Sequence, residues 1–150
     1  MRLVIQNVKD ATCKVDNKIV GEISHGFLIL VGFTHKDTKD IVDKMVNKVI
    51  KLRVFPDENG KTNLSLKDIN GEILSISQFT LYANLKDGNR PSFVDAMKPD
   101  EATKLYDYFN SKLEETGINI QKGIFGADMK LNFINDGPFT LTIDSEELFK

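Results

Sequence analysis

The chain has 150 residues, 41% hydrophobic and 28% charged, enough to bury a core in one domain spanning residues 1–150. A formal net charge of -2 argues against a protein that grips long nucleic acid, DNA included, through its overall field, while leaving room for a local basic patch to hold a few phosphates. No apolar run approaches the ~20 residues of a membrane span and no cleavable leader opens the chain, so the expectation is a soluble cytoplasmic protein with no membrane contact. A single cysteine, Cys13, with only His25 and His35 beside it, gives neither an internal disulfide nor a metal-ligand spacing, so no metal and no cofactor are expected.

In chain order, Arg2–Val8 and Thr12–Ile23 read as strands, with Asp16-Asn17-Lys18 a hairpin turn inside the second segment. Phe27–Phe33 is a near-continuous apolar run and predicts a buried central strand. Asp37 or Thr38 can cap a helix whose apolar face is Ile41, Val42, Met45, Val46, Val49 and Ile50. Pro56–Gly60 is a turn, Thr62–Leu66 a short strand, and Asn70-Gly71 a turn feeding the next segment.

Glu72–Asn84 is the segment around which the rest is organised. Its apolar strand runs into Ser77-Gln78-Phe79-Thr80 without a turn residue. Alternation places Leu74, Ile76, Gln78 and Thr80 on one face and Ile73, Ser75, Ser77, Phe79 and Leu81 on the other, so both faces turn polar near Ser77. Polar groups at the end of a core strand need partners, which points to the mouth of a site; the same hydroxyls could instead cap neighbouring backbone.

Asn84–Phe93 follows as a loop carrying Lys86, Gly88, Asn89 and Arg90, the one segment that combines cations with turn residues beside that mouth. Pro99 with Asp100 and Glu101 starts a second amphipathic helix, with Ala102, Leu105, Tyr106, Phe109 and Leu113 as its stripe and Gly117 as its end. Ile118–Lys122 alternates, and Lys130–Ile134 and Phe139–Ile143 read as two strands flanking Asn135-Asp136-Gly137-Pro138. The sum is an α+β fold, a mainly antiparallel barrel-like sheet with two amphipathic helices.

Familiar catalytic sets fail on residue supply. His25 falls in a turn and His35 just before the first helix, where surface or capping duty is the ordinary role. Cys13 lies in an alternating strand as a small buried filler, and the Gly123 and Gly126 spacing is not followed by the residues of a phosphate loop. What remains is a polar strand end, a basic loop and glycine-rich segments, all of which offer backbone groups. Backbone N–H donors can stabilise an oxyanion, so acyl transfer without a conventional base is physically available.

Four motifs in order carry a resemblance: Ser77-Gln78-Phe79-Thr80-Leu81, Gly88-Asn89-Arg90-Pro91-Ser92-Phe93, Phe125-Gly126-Ala127-Asp128-Met129 and Asn135-Asp136-Gly137-Pro138. With them the chain resembles D-aminoacyl-tRNA deacylases over essentially its whole length. It departs at Ala11-Thr12-Cys13, at Thr62, and at Phe139, where the family usually has valine after Gly-Pro.

The resemblance implies a homodimeric editing hydrolase, with active sites at the subunit interface, that cuts the ester between a D-amino acid or glycine and the 3′ end of tRNA. It implies Ser77, Gln78, Phe79 and Thr80 as the catalytic floor, with backbone N–H groups around Phe79 and Thr80 facing the ester carbonyl. Gly137 and Pro138, joined by a cis peptide where turn chemistry alone favours trans, would reach the partner's pocket and reject L-aminoacyl groups. Phe125 and Met129 would hold the terminal adenine, and Lys86 and Arg90 would meet the tRNA backbone. The substrate's own 2′-hydroxyl would assist, with Thr80 an alternative nucleophile. Two other readings stand beside this one: an RNA-binding module built on the Arg90 loop, disfavoured by the acidic balance, and a scaffold or small-ligand binder whose polar strand end is structural.

Overall fold

The computed structural model describes residues 1–150. Two long strands, β1 (Arg2–Val15) and β2 (Lys18–Gly32), form an antiparallel hairpin around Asp16 and Asn17, both at positive φ (49° and 62°). Such a pair of left-handed residues is what a tight hairpin turn requires. The break expected between Val8 and Thr12 is absent: Asp10 takes φ 50° and the strand runs on. Phe27–Phe33 is likewise the second half of β2 rather than a separate strand.

Helix α1 (Lys39–Ile50) is capped by Thr38, whose Oγ1 accepts from the Ile41 N–H, and buries Val42, Met45, Val46 and Val49. Asp37, the other candidate cap, instead accepts the Met1 α-ammonium at 2.5 Å and the Thr34 N–H at 2.7 Å. A small two-stranded sheet, β3 (Arg53–Pro56) with β4 (Thr62–Ser65), leads to β5 (Glu72–Ser77). Helix α2 (Pro99–Glu114), β6 (Ile120–Lys122), β7 (Lys130–Asp144) and a short α3 (Ser145–Leu148) complete the chain. Proline in the first turn of α2 loses no hydrogen bond there.

The main sheet has the order β6-β5-β2-β1-β7. Its β2–β1–β7 portion is antiparallel and β5 and β6 run parallel to β2, so the sheet is mixed and open at both edges rather than closed into the barrel that the many short strands suggest. Both helices pack on one face, where Leu3, Ile5, Phe27, Ile29, Val31 and Ile73 meet Met45, Val49, Tyr106 and Phe109. The opposite face carries a smaller cluster of Val8, Ala11, Cys13, Ile23, Leu28, Leu74 and Ile76. β2 is apolar on both sides because it is covered on both.

β7 corrects the expectation of two strands around a turn. Asn135-Asp136-Gly137-Pro138 lies inside one continuous edge strand, as an insertion: β1 advances from Gln6 to Val8 while β7 advances from Asn135 to Thr140, three residues more. An odd insertion moves side chains to the other face. Leu131 and Phe133 accordingly pack on the smaller cluster, whereas Phe139, Leu141 and Ile143 pack on the larger one.

Candidate functional site

β5 ends at Ser77, so the alternation expected through Leu81 stops four residues earlier. The Gln78 N–H adds one last rung by donating to the Val31 carbonyl at 2.7 Å, and Phe79–Tyr82 then winds into a 3-10 turn. Gly32 makes this possible, since a Cβ there would stand 3.0 Å from the Gln78 carbonyl oxygen and 3.0 Å from Leu81 Cβ. The first N–H groups of such a turn have no acceptor within it. Those groups belong to Phe79 and Thr80. The Gln78 Nε2 donates to Thr80 Oγ1 at 2.6 Å, so the amide side chain is fixed and Thr80 is oriented.

Beside this turn lies a cavity of about 430 Å³. Val31, Phe33, Gln78 and Phe79 form one part of its wall, Phe93, Met97 and Ala102 another, and Phe125 with Gly126 a third. The Phe79 and Phe93 rings meet edge to face at 4.9 Å, and Phe125 leans on Tyr106 at 5.8 Å. Tyr106 is itself held by donating to the Ser75 carbonyl at 2.8 Å; its burial pushes its hydroxyl above the ordinary pKa, so it serves as a neutral donor. The Asn84 and Ser92 backbones exchange hydrogen bonds at 2.8 and 2.9 Å, closing the neck of the basic loop, and the Met97 N–H ties the following segment to the Phe33 carbonyl at 2.9 Å. An aromatic, mostly apolar cleft with a few backbone and amide donors suits a flat heteroaromatic ligand.

The expected residues divide between places. Gln78, Phe79 and Phe125 line the cavity, and Ser77 and Thr80 adjoin it on the same segment. Met129 does not line it: its Sδ packs over Gly123, where a Cβ would also stand 3.6 Å from Cys13 Sγ, and its side chain belongs to the smaller cluster. Lys86 faces a separate polar groove with Arg2, His35 and Lys36, while Arg90 is exposed on the loop. Phe33 and Ala102, which pattern reading absorbs into a buried strand and a helix stripe, also line the cavity, as does Met97, to which pattern reading gives no role; apolar walls of a site and of a core look alike in sequence.

Gly137 and Pro138 are joined by a cis peptide and stand apart from this cavity within one chain. Gly137 borders a different hollow of about 390 Å³ with Asn7, Lys9, His25, Phe55 and Phe139. His25 meets Phe55 edge to face there, and His35 Nε2 lies 2.7 Å from the Val94 carbonyl, so neither imidazole lines the aromatic cavity. Burial pushes the Cys13 thiol above its usual pKa, which suits a packing role. No group of three or more His, Cys, Asp or Glu side chains is gathered in metal-binding geometry.

A family model described as D-Tyr-tRNA(Tyr) deacylase matches residues 4–144. The chain is similar to a D-aminoacyl-tRNA deacylase of Lactobacillus gasseri, 56% identical over 144 residues that cover 96% of this chain and 99% of the relative. One from Bacillus cytotoxicus is 47% identical over 146 residues, covering 97% and 100%. Among solved structures, one described as "c-Myc DNA Unwinding Element Binding Protein" superposes with a TM-score of 0.90 at 37% identity, covering 96% of this chain and 98% of that one. Another, described as a probable eukaryotic D-amino acid tRNA deacylase, shares the fold with a TM-score of 0.84 at 19% identity, covering 95% and 97%.

Proposed function

We propose that this chain, which belongs to the D-Tyr-tRNA(Tyr) deacylase family, is an editing hydrolase acting on D-aminoacyl-tRNA and on glycine mischarged to tRNA. The observation that carries this reading is the 3-10 turn Phe79–Tyr82, which sets unpaired N–H groups at the edge of an aromatic cavity. The terminal adenine lies in the cavity against Phe125, and the ester carbonyl faces the N–H groups of Phe79 and Thr80. Water adds to the carbonyl carbon and the developing oxyanion is held by those donors. The bond to the ribose 3′ oxygen then breaks, and that oxygen takes the proton passed through the neighbouring 2′-hydroxyl. Products are the free amino acid and tRNA with its terminal hydroxyls restored.

Chirality is read by a second copy of the chain. Because the insertion in β7 projects from an exposed edge, its Gly137–Pro138 unit can enter a partner's site while being remote from its own. Half-buried Leu131 and Phe133 and the 56% exposed Ile134 on the same strand support an isologous contact there. With the ammonium and the ester carbonyl held, an L side chain would strike the Gly-Pro backbone, whereas a D side chain or glycine's hydrogen would clear it. Main-chain selection explains how one site accepts many side chains. Lys86 and Arg90 meet phosphates of the acceptor end, and the enzyme works in the cytoplasm, where aminoacyl-tRNA is used.

Deacylation of D- and L-tyrosyl-tRNA, run alongside sedimentation, tests this. Turnover of the D-ester alone by a dimer is expected. Equal hydrolysis of both esters, or full activity in a monomer, would overturn the chirality and assembly parts respectively.

A further inference from the structure

Twelve residues line the aromatic cavity, and Lys98 is the single charged one among them. It sits immediately before α2, where its carbonyl accepts from the Glu101 and Ala102 N–H groups at 3.1 and 2.9 Å. Its backbone is therefore fixed. Its ammonium takes part in none of the chain's ion pairs and makes no side-chain hydrogen bond, although Asp95, Asp100 and Glu101 are near in sequence. Asp95 accepts instead from Asn84 Nδ2 at 3.2 Å.

On the deacylase reading, the ligand's charges can be counted. The carboxyl of the amino acid is esterified and its amine is cationic, so neither attracts a lysine. The nearest anion is the phosphodiester on the 5′ oxygen of the same terminal nucleotide. We infer that Lys98 is a positioning residue that holds the 5′ phosphate of the terminal adenosine while the aromatic wall around Phe125 holds its base. Base and phosphate leave the ribose between two fixed points, which sets the direction in which its 2′ and 3′ oxygens present the ester. A lysine suits a single phosphate, where a point charge on a flexible stem is enough.

The experiment compares the D-tyrosyl esters of adenosine and of 5′-AMP as substrates for the unmodified protein, Lys98→Ala and Lys98→Arg. The unmodified protein should favour the AMP ester by about three- to tenfold in kcat/KM, with a gain in kcat as well as in KM because the contact orients the ester as well as binding it. Lys98→Ala should lose that ratio, Lys98→Arg should keep most of it, and raising salt should shrink it. A ratio that survives in Lys98→Ala overturns the inference. Failure of the unmodified protein to hydrolyse either ester or D-tyrosyl-tRNA overturns the deacylase reading itself.

Discussion

The Phe139 N–H donates to Asn135 Oδ1 at 2.8 Å, across the residues that β7 inserts beside β1. The other end of the same amide, Asn135 Nδ2, donates to Thr140 Oγ1 at 3.1 Å, so one side chain closes the insertion on itself. Lys9 adds an exposed ion pair to Asp136 at 3.3 Å, which contributes little alone. Asn135→Ala should cost about 1–2 kcal/mol of stability, by the usual net worth of two hydrogen bonds. Its deacylation of D-tyrosyl-tRNA should fall by a larger factor than that loss explains if, as proposed, the insertion enters a partner's site. Denaturant midpoints and turnover measured on the same samples decide it; unchanged turnover would remove Asn135 from the argument. Gly137→Ala should behave alike, since its φ of 150° and a Cβ only 2.7 Å from the Phe139 nitrogen leave no room for a side chain.

Thr80 tests whether backbone or hydroxyl does the chemistry. Its Oγ1 accepts from Gln78 at 2.6 Å, so the hydroxyl already has an orienting role. Thr80→Ser keeps that acceptor and should retain activity within about threefold, whereas a 2′-deoxy terminal adenosine should lose about a hundredfold or more, the scale of a removed transition-state interaction. Normal cleavage of the 2′-deoxy substrate together with a dead Thr80→Val protein would make the threonine the nucleophile.

Phe125 and Met129 belong to one motif in sequence but to different surroundings in space. Phe125→Ala should raise KM roughly tenfold, within the ~1–3 kcal/mol that an aromatic platform gives per base. Met129→Ala should chiefly lower the melting temperature, because Met129 packs over Gly123 beside Cys13. Steady-state kinetics with thermal melts separates the two, and the reverse pattern would count against Phe125 as the proposed adenine contact.

Acid stability follows from Asp144. Burial raises its pKa, but the hydrogen bond from Arg2 Nε at 2.7 Å and that from the Glu146 N–H outweigh burial and hold the carboxyl below its ordinary value. A depressed carboxylate pKa gives stability that is complete above the unfolded-state value and is lost as pH falls through the folded-state value. Stability should therefore decline below about pH 4. Asp57 and Asp68, lowered by hydrogen bonds from Lys61 and Ser65 backbone N–H groups, act in the same direction. In Asp144→Asn the decline should be shallower, as followed by unfolding midpoints across pH 2–6; an unaltered slope would assign acid sensitivity elsewhere.

Helical periodicity alone places the apolar faces of α1 and α2, and the near-continuous run Phe27–Phe33 marks a buried strand, because burial in those elements follows directly from spacing. The motifs containing Ser77–Thr80, Phe125 and Gly137-Pro138 stand out in the sequence as well, and the structure brings Gln78, Phe79 and Phe125 to one cavity. Their relation is not legible in the sequence. Gly137-Pro138 reads as a turn between strands from local chemistry, yet β7 continues through it because Val8 and Lys9 pair with Asn135 and Ile134. Asp37 reads as a helix cap, yet a buried ammonium more than thirty residues away takes its carboxylate, a stronger claim than an open N–H. The strand at Ser77 ends where Gly32 lets the chain fold back against β2, and no alternation of residues 72–81 contains that information. Spacing says which side of an element is apolar, while the partner it meets is set by pairings far apart along the chain, and only the tertiary structure decides those.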